Sequence, residues 1–195
     1  MAQRRDTTVL EGLAGDLESG YGAFVRAHAD DVYSAALRLS GSRADADDIA
    51  QETFVRAYRA LRRFDAERLR SLEARPWLHT ITLNLWRNRL RAAARRPRTA
   101  PGDRHGDVAD GRPGPEDAAV AGEASRALVR LLAQLPEHQR VPVVLRHVVG
   151  LSYAELATVL ACPVGTAKAN VARGLDRLRV LGRADDAGAT GAETR

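Results

Sequence analysis

Hydrophobic residues recur at helical spacing through most of the chain. In the first half, this period predicts helices over Tyr21–Leu39, Ala44–Arg63 and Trp77–Arg91. Gly41 follows the first of these as a stop signal, and Pro76 precedes the third, where proline suits the first helical turn. Because no convincing alternation of apolar and polar residues appears, the predicted fold class is all-α.

The second half continues the helical period and adds a clear helix start. Ser152 and Glu155 have the spacing of a capping box, in which each side chain accepts a hydrogen bond from a free backbone N–H group. Pro142 interrupts one apolar pattern and is expected to kink that helix or to shift its start. The helices predicted here are Ala124–Leu135, Glu137–Val149, Ala154–Leu160 and Gly165 to about Arg179.

A segment rich in proline and glycine separates the two halves. Before Val120 it has one apolar residue larger than alanine, Val108, so it predicts a flexible linker rather than part of a core. The predicted organisation is an N-terminal extension (1–18), a first helical domain (19–96), the linker (97–123), a second helical domain (124–182) and a disordered tail (183–195).

Composition narrows the class of protein. The chain has 195 residues, of which 45% are hydrophobic, as expected for folded domains. No stretch approaches the roughly 18 apolar residues of a membrane-spanning helix, and residues 1–10 lack the apolar core of a signal peptide. Cys162 is the only cysteine, which excludes an intramolecular disulfide, and a core position is favoured for it over a redox sensor. We therefore expect a soluble, cytoplasmic protein with no membrane insertion.

The net charge of +5 conceals strong local charge. Residues 56–96 hold twelve arginines against three acidic residues, and residues 126–183 hold nine basic residues against three acidic ones. By contrast, residues 19–55 hold six acidic residues against three basic ones. The basic segments indicate a polyanionic partner, most simply nucleic acid, and the acidic segment should face another partner.

The segment Ser152–Leu178 has the spacing of a helix-turn-helix, a unit that places its second helix in the major groove of DNA. Ala157 is small where the two helices would cross, and the second helix starts about eight residues later. The outward residues of that helix, predicted to reach bases and phosphates, are Thr166, Lys168, Ala169, Asn170 and Arg173. On spacing alone, an ordinary helical hairpin with solvated polar residues remains the alternative.

The second half carries the motifs LPEHQR at 135–140, GLSYAELA at 150–157 and CPVGTAK at 162–168. Together these motifs resemble the sigma-70 family, and most of all its small two-domain extracytoplasmic-function (ECF) members. They resemble the fourth region of the family, whose helix-turn-helix reads the −35 promoter element. The resemblance therefore implies that the predicted helix-turn-helix binds DNA.

Motifs in the first half resemble the second region of the same family. DADDIAQETFVRAY at 45–58 resembles the segment that docks on the clamp of RNA polymerase. PWL at 76–78, with Ile81 and Asn84, resembles the helix that holds the −10 element. In the family, the loop before this helix captures a flipped −10 base, and here that loop is about Phe64–Arg75.

The resemblance implies an initiation factor that binds core RNA polymerase and promoter DNA and promotes strand opening, with no cofactor and no metal. Residues implied in polymerase binding are Asp45, Asp47, Asp48, Gln51 and Glu52. Residues implied in −10 binding are Arg75, Trp77, His79, Asn84, Arg87 and Arg91. The aspartates would also suit a helix start, and a core role is favoured for Trp77. An anti-sigma protein is a candidate partner because such inhibitors are common in the family.

Two other function classes compete with this interpretation. A helix-turn-helix regulator acting without polymerase is the alternative, although it explains neither the 45–58 motif nor the second basic segment. An enzyme is disfavoured because the five histidines show no ligand spacing and no glycine-rich phosphate loop occurs. Departures from the family pattern, which leave the promoter sequence open, are Thr80, Leu83, Asn88, Pro142, Ala161, Ala167 and Gly174.

Overall fold

The computed structural model describes the backbone of residues 2–95 and 115–192 and the side chains of residues 6–95 and 124–184. All regular structure in these ranges is helical, which confirms the predicted all-α class, and none of these helices is long and apolar enough to cross a membrane. In chain order the helices are α1 (Ala2–Gly15), α2 (Leu17–Ser40), α3 (Arg43–Leu61), α4 (Ala66–Arg70), α5 (Ala74–Arg95), α6 (Pro115–Ala133), α7 (Glu137–His147), α8 (Tyr153–Leu160) and α9 (Val164–Ala192). Helices α1–α5 form the first domain and α6–α9 the second.

Local sequence signals set the boundary between α2 and α3. Gly41 ends α2 in the left-handed conformation, with φ of 73°, and its N–H donates to the Leu37 carbonyl. Ser42 then caps α3, because its hydroxyl accepts a hydrogen bond from the Asp45 N–H at 3.3 Å. Since Ser42 supplies the cap and only Asp45 is an acid of the first turn, capping does not account for Asp47 and Asp48.

The segment predicted as an N-terminal extension is helix α1 and belongs to the core. Leu10 and Leu13 are 5% and 1% exposed. With Val9 they form a short apolar stripe at helical spacing, which is the signal for this helix in the sequence. The stripe is short and lies among polar residues. It can be recognised as part of the core only once the helices that cover it are known.

Two helices in the second half extend beyond their predicted limits. Helix α6 starts at Pro115, a residue suited to a first helical position, and the rest of the predicted linker (97–114) lies outside the described residues. Helix α9 continues to Ala192, so much of the predicted disordered tail is helical. No proline follows Pro163 in the sequence to end that helix earlier.

Among the described residues, two hydrophobic clusters hold the fold together. The first lies within the first domain and contains Leu10, Leu13, Phe24, Val32, Ala57, Leu61, Leu69, Ala74 and Leu78. The second crosses the domain boundary and includes Leu39, Ile49, Leu83 and Trp86 from the first domain and Leu132, Val144, Leu145, Leu156 and Val171 from the second. The two domains therefore share a core in this structure, in addition to their covalent link.

Polar contacts reinforce the shared core. The Arg75 guanidinium donates to the Val149 carbonyl at 2.6 Å, and Arg87 pairs with Glu137 at 2.7 Å. Further contacts between the domains join Arg38 to Ser125 and Arg140 to Leu39 and Trp86. Two residues predicted to bind the −10 element, Arg75 and Arg87, are thus in contact with the second domain.

Candidate functional site

The second domain carries a helix-turn-helix formed by α8 and α9. The Ser152 hydroxyl accepts from the Glu155 N–H at 3.2 Å, and the Glu155 carboxylate accepts from the Ser152 N–H at 2.7 Å, which confirms the predicted capping box. The turn bends at Ala161, whose φ of 49° lies in the left-handed region that favours glycine. The Cys162 N–H then donates to the Ala157 carbonyl at 3.1 Å, which closes the turn before α9.

The first turns of α9 present a row of polar side chains to solvent. Ala167 and Val171 face the core with 0% and 1% exposure, and Lys168 between them points to solvent. Of the predicted −35 residues, Thr166, Lys168 and Arg173 are exposed, and Ala169 and Asn170 are half-buried. Arg173 donates to the Asn170 side-chain oxygen at 2.7 Å. This arrangement leaves cations and an amide side by side on the surface that a major groove would face.

Gly174 sets the distance between α9 and α7. A Cβ at this position would lie 2.6 Å from Val143 Cγ2 and 3.2 Å from the Gln139 carbonyl oxygen. Because these distances are too short for a methyl group, only glycine allows α9 to approach α7 this closely. This departure from the family pattern is therefore explained by helix packing, which fixes the position of the second helix of the helix-turn-helix.

Helix α5 divides the predicted −10 residues between two faces. At about 100° per residue, Trp77, Asn84, Arg87 and Arg91 share one face. Asn84 and Arg91 are exposed there, and Trp77 and Arg87 are half-buried. The Arg91 guanidinium donates to the Asn88 side-chain oxygen at 2.6 Å. This face carries the cationic and amide groups that can contact phosphates and bases.

Arg75 and His79 lie on the opposite face of α5. Arg75 contacts Asp31 at 3.4 Å as well as the Val149 carbonyl. His79 is 1% exposed, and burial, aided by the Arg75 charge, lowers its pKa to about 3, so the ring is neutral. The structure therefore does not present the His79 ring to solvent, and helical-wheel arithmetic on α5 is the sequence signal that separates it from Asn84.

The segment before α5 contains the short helix α4. Asp65 caps this helix by accepting from the Arg68 N–H at 2.8 Å. The Arg68 guanidinium carbon lies 4.0 Å from the centre of the Phe64 ring, and the Trp77 ring centre lies 6.0 Å from it. Phe64 and Arg68 form a cation–π pair at the surface that the sequence analysis did not single out, and their i,i+4 spacing is its signal.

The five residues predicted to bind polymerase lie together on α3. Asp47, Asp48 and Gln51 are exposed, and Asp45 and Glu52 are half-buried. Arg89 of α5 donates to Asp45 at 2.9 Å and to Asp48 at 3.0 Å. Since these ion pairs are exposed, each contributes little stability and can exchange for a cation of a partner. We call these five residues the α3 acidic row.

The chemistry of these surfaces suits binding. Within the described residues, no group of three or more histidine, cysteine, aspartate and glutamate side chains could hold a metal ion. Cys162 is half-buried and packs against the shared core, as expected for a structural residue. Among the described residues, the candidate groups at the surface are two sets of cations and amides and one acidic row.

Two helical domains with a helix-turn-helix and separate basic faces define a DNA-binding protein. Residues 24–96 match the family described as Sigma-70 region 2, and residues 125–178 match the family described as Sigma-70, region 4. Both matches follow the order of the two domains. The chain belongs to the sigma-70 family of RNA polymerase sigma factors, in its ECF subfamily.

Individual relatives support this assignment. The chain is 36% identical over 155 residues to the ECF RNA polymerase sigma factor SigE of Mycolicibacterium smegmatis, a match that covers 80% of this chain and 58% of that protein. It is 35% identical over 189 residues to the ECF RNA polymerase sigma factor SigC of Mycobacterium tuberculosis, which covers 95% of this chain and 97% of that protein.

A solved structure has the same fold. CnrH in complex with the cytosolic domain of CnrY has a TM-score of 0.68 and 27% identity, and the match covers 93% of this chain and 99% of that one. Sigma factors are transcription initiation factors and not enzymes. The alternative of a regulator that acts without polymerase is not favoured, because region 2 accounts for the whole of α3, α4 and α5.

Proposed function

We propose that this sigma factor directs core RNA polymerase to promoters with −10 and −35 elements and promotes strand opening there. The observation that carries the proposal is the presence, in one chain with both sigma-70 regions, of the α3 acidic row and two basic DNA-facing helices. An acidic face repels DNA, so the acidic row needs a second partner with a basic surface. The proposal places the protein in the cytoplasm, together with polymerase and promoter DNA.

In this proposal the α3 acidic row docks on a basic surface of polymerase. Asp47 and Gln51 are exposed and supply a carboxylate and an amide to that surface. Arg89 pairs with Asp45 and Asp48, whose side chains keep 49% and 62% exposure for the partner. Because exposed ion pairs are weak, a basic surface of polymerase can replace Arg89 at little cost.

The start of α9 is proposed to read the −35 element in the major groove. Thr166 lies at the helix start, where free N–H groups and the hydroxyl can bind a phosphate. Lys168, Asn170 and Arg173 follow on the exposed side and have the donors and acceptors to reach base edges. Ala169 lies among them and can contact a thymine methyl group.

The first domain is proposed to hold the −10 element as a single strand. Asn84, Arg87 and Arg91 follow its phosphates along α5. Stacking of an unpaired base on the Phe64–Arg68 pair would offset the few kcal/mol that base flipping costs. Arg87 must exchange Glu137 for a phosphate, and His79 supports α5 from inside.

A protein inhibitor is a further proposed partner. CnrH, which has the same fold, is solved in complex with the cytosolic domain of CnrY, so a protein of this fold binds a polypeptide partner. A polypeptide that covers the α3 acidic row or the basic faces of this chain would act as an anti-sigma protein.

Transcription from a promoter library tests the proposed function. Purified chain and core polymerase are mixed with the library, and transcripts that require the chain are mapped. We expect their start sites to share upstream −10 and −35 elements. Lys168→Ala with Asn170→Ala should relax the −35 preference and leave polymerase binding intact. Binding of the chain to duplex DNA with no dependent transcript would instead support the regulator alternative.

A further inference from the structure

Helix α1 has no role in the proposed function as described above. It lies outside the region 2 match, which begins at residue 24. Leu10 and Leu13 of α1 are nevertheless buried in one cluster with Leu69, which belongs to α4. Because α4 lies in the segment proposed to receive the −10 base, α1 packs against the part of the molecule that would read that base.

The placement of α1 depends on a backbone contact with α2. The two helices are antiparallel, since Gly12 faces Gly20 and Asp6 lies 3.9 Å from His28. A Cβ on Gly20 would lie 2.8 Å from the Gly12 carbonyl carbon and 2.9 Å from the Leu13 nitrogen. No side chain can move aside to make room there, so any larger residue at Gly20 must displace α1.

An ion pair extends the contact from α1 to the end of α4. The Glu11 carboxylate lies 3.1 Å from Arg70 Nε, and both side chains are more than half exposed. Such a pair contributes little stability, but it restricts where Arg70 lies. Helix α4 has five residues and is too short to hold its own position, so its neighbours determine where it lies.

We propose that α1 is a positioning element for −10 recognition. Leu10 and Leu13 support α4 from the core, and Glu11 orients it through Arg70, so that Phe64 and Arg68 are held ready for an unpaired base. The inference rests on the proposed function of the 64–75 segment. Displacement of α1 should therefore reduce discrimination among −10 bases, because recognition requires contacts held within a fraction of an ångström.

Two glycine substitutions on the facing helices test the proposal. The full chain with core polymerase is titrated with promoter fragments whose −10 non-template strand is unpaired and varied one base at a time. Gly20→Ala should lower the affinity ratio between the preferred base and its replacements about fivefold to tenfold. Gly12→Ala should leave the ratio unchanged, since a Cβ there meets nothing within 4 Å. Hydrogen exchange of the α1 amides reports whether α1 has moved, and polymerase affinity should change less than twofold in both variants.

A second pair of variants avoids the helix contact. Glu11→Gln removes the ion pair with Arg70 and should lower the base discrimination about twofold. Glu18→Gln removes the same charge from an exposed residue that has no ion pair within the described part of the chain, and it should have no effect. Because the two variants change the net charge equally, the difference between them isolates the contact with α4.

The outcomes separate the inference from the function on which it rests. Unchanged base discrimination in Gly20→Ala, with faster exchange in α1, would overturn the positioning role. If Gly20→Ala does not fold, equal discrimination by Glu11→Gln, Glu18→Gln and the parent chain would overturn it. A parent chain that binds polymerase but discriminates at no −10 position would overturn the proposed function itself.

Discussion

His79 couples the stability of the first domain to pH. Its pKa is about 3 in the folded chain because the ring is buried beside Arg75, whereas an exposed histidine titrates near 6.5. The unfolded chain therefore binds a proton that the folded chain does not. The contribution of neutral His79 to the free energy of unfolding is complete above pH 6.5. Below that value it falls by about 1.4 kcal/mol for each pH unit. His28 is also buried and has a lowered pKa, so it adds to the loss.

Replacement of His79 by leucine should remove its share of this pH dependence. Between pH 7.5 and 5.5, urea unfolding should show a loss of stability about 1.4 kcal/mol smaller in His79→Leu than in the parent chain. His147→Gln, at an exposed position, is the control and should follow the parent curve. An equal loss in His79→Leu and the parent chain would show that His79 is not the group that takes up the proton.

The α3 acidic row can be tested without disturbing the core. Asp48→Asn combined with Gln51→Ala should weaken polymerase binding at least tenfold, because both side chains are exposed and face the proposed partner. The melting temperature should stay within about 2 °C, since exposed positions contribute little to stability. Asp176→Asn, which removes an exposed acid from α9, is the control in a fluorescence binding assay. Full polymerase affinity in the double variant would place the docking surface elsewhere.

At the scale of elements, packing at Gly174 should decide the position of α9. Gly174→Ala would gain up to about 1 kcal/mol of helix propensity. The overlap with Val143 should cost more, about 1–3 kcal/mol, so the expected net effect is destabilising. Gly182→Ala on the same helix meets nothing within 4 Å and should stabilise the chain. Thermal melts with shifts of the same sign in both variants would contradict this account.

The helices that the sequence predicts are those whose caps and apolar period are set by residues close together in the chain. The cap at Gly41, the capping box at Ser152 and the apolar period of α2, α3 and α5 all depend on residues within one or two turns. Helix α1 was missed because Leu10 and Leu13 become a core stripe only against α2 and α4. Its contact with α4, in which Glu11 meets Arg70 59 positions away, lies beyond the range of a local pattern.

The sequence predicts on which helix each candidate site residue lies, but it does not predict which residues its side chain contacts. Thr166, Lys168 and Arg173 lie on the exposed side of α9, as the period indicates, and the α3 acidic row lies on one helix. The Arg75 guanidinium donates a hydrogen bond to the Val149 carbonyl, 74 positions away, and no local sequence pattern predicts this contact. Contacts of this range depend on how the domains pack, which the charge pattern does not encode.

For the whole molecule, the shared core conflicts with simultaneous binding of two promoter elements. A compact chain of this length has a radius of gyration of about 16 Å and is about 40 Å across. Elements about 25 base pairs apart are separated by about 85 Å of duplex. The domains must therefore separate on a promoter, and the 96–114 segment is long enough to span about 60 Å when extended. Promoter binding thus competes with the contacts of Leu83 and Trp86 to the second domain.

Energy transfer between dyes on the two domains measures this separation. The labels are placed at Ala27→Cys and Val180→Cys, both exposed positions, in a Cys162→Ala background. Transfer should be high in the free chain and should fall in the complex of the chain, core polymerase and a promoter with both elements. The expected reason is that Arg87 leaves Glu137 and the shared core opens. High transfer that persists in an active promoter complex would contradict the requirement for separation.

A single ion pair between the domains should tune the opening equilibrium of the free chain. Glu137→Gln removes the partner of Arg87 without altering Arg87 itself. Because the pair is partly exposed, its loss should be worth about 0.2–1 kcal/mol, which corresponds to an increase of about 1.4-fold to fivefold in the open fraction. The free chain should then show lower energy transfer and tighter, salt-sensitive binding to −10 single strands, since Arg87 is released for phosphate.

Glu18→Gln loses the same charge outside the interface and should match the parent chain in both measurements. Equal transfer in Glu137→Gln and the parent chain would show that the apolar core alone sets the closed state.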